Sequence, residues 1–154
     1  MSVAFRREGD DEHLEPKFEL PIPPGPNLVT ERGFALIVAR VAELEAELAG
    51  LADEEAIKEH RRVMRYWLTR QATAQVMPPP HGAAVVFGST VTFRLNGKER
   101  SITLVGDDEA DPAAGLLAFS APLCRALLGA EAGDEVDFAG NEGAIEVLQV
   151  AGLP

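Results

Sequence analysis

The sequence predicts an α+β protein: an antiparallel helical hairpin forming a short coiled coil, followed by a small strand-rich domain with one helix. Three observations predict it. Between residues 30 and 76, apolar residues recur at alternating spacings of three and four, the seam of a coiled coil. From Val85 onward the period drops to two, the pattern of half-buried strands. Between the two patterns stands Pro78-Pro79-Pro80, which can continue neither a helix nor a sheet ladder.

Residues 1–26 mix charges and then become proline-rich, with Pro21, Pro23, Pro24 and Pro26 around Gly25. Proline removes backbone donors and favours extended chain, so this segment reads as a mobile acidic tail ending in a stiff spacer. The hairpin is expected over 27–77. Its first seam is Phe34, Ile37, Val41, Leu44, Leu48 and Leu51, and its second is Ile57, His60, Met64, Trp67, Gln71 and Ala74. Paired antiparallel, Leu51 meets Ile57, Leu48 meets His60, Leu44 meets Met64 and Val41 meets Trp67, all in one register with the reversal at Glu54. Thr30 and Asp53 are the expected N-caps, and Gly50 the left-handed residue ending the first arm. Residues 78–82 form the linker.

The second domain is expected over 83–154. Val85, Phe87, Val91, Phe93 and Leu95 fall on one face of a first strand, and Asn96-Gly97 supplies a tight hairpin turn. The return strand carries Ile102 and Leu104. An acidic loop follows, Asp107-Asp108-Glu109-Ala110-Asp111-Pro112, then a short strand and a helix announced by Ser120 and Pro122 and stopped by Gly129. Val136 and Phe138 form another strand, and Ile145, Val147 and Val150 a closing one. Gly152 to Pro154 is expected to fray.

Composition narrows the function. The net charge is −11, and residues 83–154 hold 11 acidic and 4 basic side chains. Such a surface repels phosphates, so duplex DNA is not expected to bind this domain directly, and a basic protein surface is the better partner. One cysteine excludes an internal disulfide and fits a reducing cytosol. No apolar run approaches the length needed to span a bilayer, and Arg6-Arg7 has no apolar stretch behind it, so a cytoplasmic protein is expected. Cys124 lies in an apolar helix, and His13, His60 and His81 are scattered. Neither a thiol enzyme nor a metal site is indicated, and no cofactor is expected.

Several segments carry a family resemblance. FGSTV at 87–91, VGDDEAD at 105–111, the Ser120/Pro122 pair before Arg125-Ala126-Leu127-Leu128-Gly129, and Gly133-Asp134-Glu135-Val136 stand in order. Together they resemble the C-terminal domain of the Gre factors, bacterial transcript-cleavage factors that bind RNA polymerase. More thinly, LVTERGFALIVARVAELEAEL at 28–48 and RQATAQV at 70–76 resemble the start and end of the Gre coiled coil. The resemblance implies an FKBP-like antiparallel sheet for 83–154. It also implies a docking surface for the basic coiled coil at the rim of the polymerase secondary channel, mapped onto Asp107, Asp108, Ser120, Pro122 and Arg125.

Two further groups lie on the hairpin. Asp53, Glu54 and Glu55 stand at its tip, where Gre factors carry the DLxENAEY motif that reaches the polymerase active-site metal. Here LADEEAIKEH lacks the asparagine and tyrosine, and the middle of the Gre hairpin is missing. The tip acids are therefore expected to favour a helix N-terminus rather than to hold a catalytic metal. Lys58, Arg61, Arg62 and Arg65 form a basic stripe, read as ion pairing of Arg61 with Glu47 and Arg65 with Glu43. The expected function is a polymerase-binding elongation regulator that is not itself an enzyme. Left open beside it are a true cleavage-stimulating factor using the tip, a short-hairpin regulator of the kind named for nucleoside diphosphate kinase regulation, and an FKBP-like prolyl isomerase. The last is disfavoured because residues 83–154 hold four phenylalanines and no Trp or Tyr to line its pocket.

Overall fold

The computed structural model describes residues 19–151. Most of the expected tail, with His13, and the last three residues lie outside them. The described residues form two compact units, Ile37–Thr73 with the residues before Pro26, and Pro26–Leu36 with the chain from Ala74 onward. None of the helices described is long and apolar enough to cross a membrane.

The first unit is the helical hairpin. Helix α1, Glu31–Leu48, starts in the second unit and buries Ile37, Val41 and Leu44, which recur at four and three. Helix α2, Glu54–Thr73, keeps Ile57, His60, Met64, Trp67 and Gln71 half-buried, as the seam requires. Its start is capped as expected, because the Ala56 N–H donates to Asp53 Oδ2 at 2.9 Å. The register is not the expected one. His60 Nε2 donates to the Leu44 carbonyl at 2.6 Å, so Leu44 faces His60 instead of Met64. The cause is the turn. Gly50 is not among the glycines with positive φ, and the chain reverses over 49–53, centred near Leu51 rather than Glu54. Extrapolated along the arms by helical geometry, this register predicts Trp67 opposite Ile37.

The second unit begins with two short strands that sequence reading missed. Strand β1, Leu28–Val29, lies parallel to β2, Gln75–Val76, fixed by Gln75 N–H to Asn27 O and Met77 N–H to Val29 O, both 2.8 Å. The expected helical run to residue 76 therefore ends at Thr73. Between β1 and the helix, Thr30 caps α1 as expected, its hydroxyl accepting the Gly33 N–H at 2.9 Å.

The five remaining strands form one sheet. They are β3 Thr90–Leu95, β4 Lys98–Val105, β5 Leu116–Ala118, β6 Glu135–Phe138 and β7 Asn141–Ala151, in the order β5-β4-β3-β7-β6. Asn96 and Gly97, at φ 54° and 76°, make the expected tight turn between β3 and β4. The first strand starts at Thr90, not Val85. Gly88 at φ 91° breaks the extended run, and the buried Ser89 turns back so that its Oγ accepts the Val86 N–H at 3.0 Å. Val85 and Phe87 are still buried.

One feature departs from an all-antiparallel sheet: β5 pairs with β4 in parallel, so the sheet is mixed. Helix α3, Pro122–Leu127, closes the core with Leu123, Cys124 and Leu127 against Val91, Phe93, Ile102, Leu104, Ile145 and Val147. Gly129 follows at φ 86°, as expected past a helix end. The α+β class thus holds, with the helices leading and the sheet following.

Candidate functional site

The parallel pair of β4 and β5 builds the site. Two strands that run the same way release their following segments at the same end of the sheet. Val105 and Ala118 are partners at the last register position, and the Phe119 N–H donates to the Val105 carbonyl at 2.8 Å. The segment after β4 is the acidic stretch, and the segment after β5 is the start of α3. Topology alone therefore brings Asp107 and Asp108 to Ser120 and Pro122. The Ser120 hydroxyl completes the junction by donating to Asp107 Oδ1 at 2.6 Å.

This bond corrects one expectation. Ser120 does not cap α3; the N-cap position is Ala121, with no side-chain bond, and Pro122 takes the first helical position, where a missing N–H costs nothing. Pro122 and Arg125 are both exposed, one helical turn apart. The docking residues read from the sequence are thus assembled at one end of one sheet.

The acidic stretch is more ordered than a solvated loop. Asp107–Glu109 forms one 3₁₀ turn and Pro112–Ala114 another. Its four carboxylates are not equivalent. Asp107 and Asp108 are half-buried and Asp111 is exposed, while Glu109 is buried. Its carboxylate meets the first turn of α1. Oε1 accepts the Thr30 hydroxyl at 2.6 Å, and Oε2 accepts Arg32 Nη1 at 2.8 Å. Gly33 leaves the room: a Cβ there would stand 2.6 Å from Glu109 Oε1. Sequence reading missed this group. Thr30 was legible as a cap, but nothing local distinguishes Glu109 from its acidic neighbours.

The hairpin residues sort differently. Asp53, Glu54 and Glu55 are exposed in or just before the first turn of α2, and one Asp53 oxygen is held by the cap. Among the described residues no group of three or more His, Cys, Asp or Glu converges on a metal-sized site. The basic stripe does not make the expected cross-arm pairs. Arg65 binds Glu19 at 2.8 Å, Arg62 binds Glu59 at 2.7 Å one turn back on α2, and Glu43 is taken by Arg40 on its own helix. With the reversal moved toward Leu51, the partners expected across the seam no longer face each other. The Arg65 guanidinium holds the Glu19 carboxyl below its ordinary value, and Glu19 raises Arg65 in return. Lys58 and Arg61 are exposed.

Cys124 is fully buried in the core, and burial pushes its thiol up to about 11, which suits a structural residue rather than a nucleophile.

Comparison with known proteins places these features in context. Residues 80–151 match the family model described as transcription elongation factor, GreA/GreB, C-term. The chain is 34% identical over 117 residues to transcription elongation factor GreA of Desulfovibrio desulfuricans, covering 71% of this chain and 72% of that one. It is 32% identical over 149 residues to transcription elongation factor GreA of Pseudomonas putida, covering 95% and 90%. A solved GreA/GreB elongation factor from Nitrosomonas europaea overlaps 83% of this chain and 99% of its own at 22% identity. Its TM-score of 0.39 is too loose to bear on function.

Proposed function

This chain belongs to the GreA/GreB family of transcription elongation factors, and from that premise we propose that it binds bacterial RNA polymerase through its sheet domain and does not drive transcript cleavage. The observation that carries the docking half is the Ser120–Asp107 hydrogen bond at the common end of β4 and β5. It sets a fixed acidic turn beside an exposed proline, a surface suited to a basic coiled coil at the rim of the secondary channel. Acidic excess in residues 83–154 steers toward such a partner and away from nucleic acid. The setting is cytoplasmic, where the polymerase works.

The absence of cleavage follows from reach and chemistry at the tip. The arms have 18 and 20 residues, hence lengths of about 27 and 30 Å at the helical rise. The family's tip motif is missing, and one Asp53 oxygen caps α2. On this reading the factor occupies the channel and modulates elongation without supplying carboxylates to the catalytic metal.

Capture of core RNA polymerase by the full chain tests the docking half. Wild type should bind, and Asp108→Arg and Pro122→Arg should each abolish binding while the circular dichroism melt is kept. Placing like charges at an interface costs several kcal/mol, enough to erase ordinary affinity. Unchanged binding by both folded variants would remove this surface from the proposal.

A further inference from the structure

We infer that Glu109 is a positioning residue for the polymerase-binding surface: it holds the Asp107–Glu109 turn in place by anchoring it to the first turn of α1. The inference rests on the docking reading above. The backbone hydrogen bond that closes the turn is the Glu109 N–H to the Gly106 carbonyl at 3.1 Å, and no side chain caps its start. The anchor is stronger. A continuous chain runs from the Gly33 N–H to Thr30 Oγ1 at 2.9 Å and from the Thr30 hydroxyl to Glu109 Oε1 at 2.6 Å, with Arg32 on the other oxygen at 2.8 Å.

Charge and burial agree with this role. The Glu109 side chain is 5% exposed, whereas that of Arg32 is 64% exposed. The carboxylate also sits at the N-terminal end of α1, where unpaired backbone N–H groups favour negative charge. A buried carboxylate with three such supports has one well-defined position, and the residue two places before it, Asp107, is the one that receives Ser120. Glu109 itself is turned inward and offers no carboxylate to a partner. Its influence on docking is therefore transmitted through Asp107 and Asp108. The start of α1, at Thr30 and Arg32, and the docking turn thereby act as one element, and substitutions there alter polymerase affinity without touching the polymerase.

Binding of full-length variants to core RNA polymerase, with a melt of each, tests the inference. Glu109→Ala and Thr30→Val should each weaken binding by about tenfold, the size expected for coupled neighbours. The double variant should weaken it no further than Glu109→Ala alone, because both act through one link. Amide NMR shifts of Asp107 and Asp108 in the free Glu109→Gln and Thr30→Val proteins should move, which a direct contact with polymerase would not require. Glu109→Gln, isosteric and gentler on folding, serves if Glu109→Ala does not fold. Wild-type affinity in folded Glu109 variants, alongside loss of binding by Asp108→Arg, overturns the positioning role and leaves the docking surface standing. Additive losses in the double variant also overturn it, since they assign Glu109 a contact of its own. Unaltered binding by Asp108→Arg as well removes both readings.

Discussion

The Leu28 carbonyl oxygen lies so close to Gly106 that a Cβ built on the glycine would stand 2.4 Å from it. The Gly106 backbone, at φ −72° and ψ 164°, is one any residue adopts. The glycine is therefore required by space and not by conformation. It lets β1 pass over the point where β4 ends and the acidic turn begins.

Gly106→Ala should accordingly destabilise the second unit, by about 1–3 kcal/mol as for other overpacked sites. The clash is with backbone, which cannot rotate away as a flexible side chain can. A thermal melt unchanged by this substitution would show that β1 has room to move. Gly97→Ala is the informative contrast: nothing stands within 4 Å of its Cβ position, so its cost comes only from φ 76°.

Legibility followed locality. The Asn96-Gly97 turn, the caps at Thr30 and Asp53, and the buried Cys124 depend on near neighbours or on hydrophobic pattern, and the structure has them as read. The parallel pairing of β4 with β5, the β1–β2 ribbon and the burial of Glu109 join segments far apart in sequence. Leu28 and Gln75 meet across the whole hairpin, and no periodicity encodes that. The register error had a small cause. Gly50 ends the first arm without a left-handed φ, and a reversal near Leu51 instead of Glu54 changes the partners across the seam. Asp107, Asp108, Ser120, Pro122 and Arg125 stand out in the sequence through their motifs, but the bond joining Ser120 to Asp107 does not.

The revised register makes a prediction for the hairpin. Ile37, 1% exposed, should cost about 2–5 kcal/mol on truncation to Ala. Its neighbour Leu36, 44% exposed, should cost at most about 0.5 kcal/mol. A double-mutant cycle between Ile37 and Trp67 should show coupling above about 0.5 kcal/mol, while Val41 with Trp67 should be nearly additive. Coupling in the second pair and not the first would restore the original alignment of the arms.

Cys124 sets an alkaline limit. Its thiol is pushed to about 11 in the folded protein from an ordinary 9.0, so the native state holds its proton after an unfolded chain has released it. The stabilisation is fully present below pH 9 and is lost as pH rises toward 11. Cys124→Ala should flatten that part of the pH–stability curve, although its lost methyl-sized packing lowers the whole curve slightly. At pH 8 the native thiol should resist alkylation, since only about one molecule in a thousand carries the thiolate. Rapid labelling of folded protein at pH 8 would contradict both statements.

Catalysis gives the last prediction. A factor stimulates cleavage only when its carboxylates come within metal-ligand distance, about 2–2.6 Å, of the polymerase magnesium. Two facts oppose that here. The arms, at 18 and 20 residues, extend only about 30 Å. At the tip, one Asp53 oxygen accepts the Ala56 N–H, and Glu54 and Glu55 stand in the first turn of α2, where the helix N-terminus already favours their charge. Docked at the rim by Asp107, Asp108 and Pro122, such a hairpin should stop short of the metal. The protein should therefore release no cleavage products from a backtracked complex, yet compete with a full-length GreA for polymerase. Cleavage by the wild type that disappears in Asp53→Ala/Glu54→Ala/Glu55→Ala would show the tip to be catalytic. Asp53→Ala alone should lower the hairpin's stability by about 1 kcal/mol through the lost cap, so a melt separates that structural effect from any loss of chemistry.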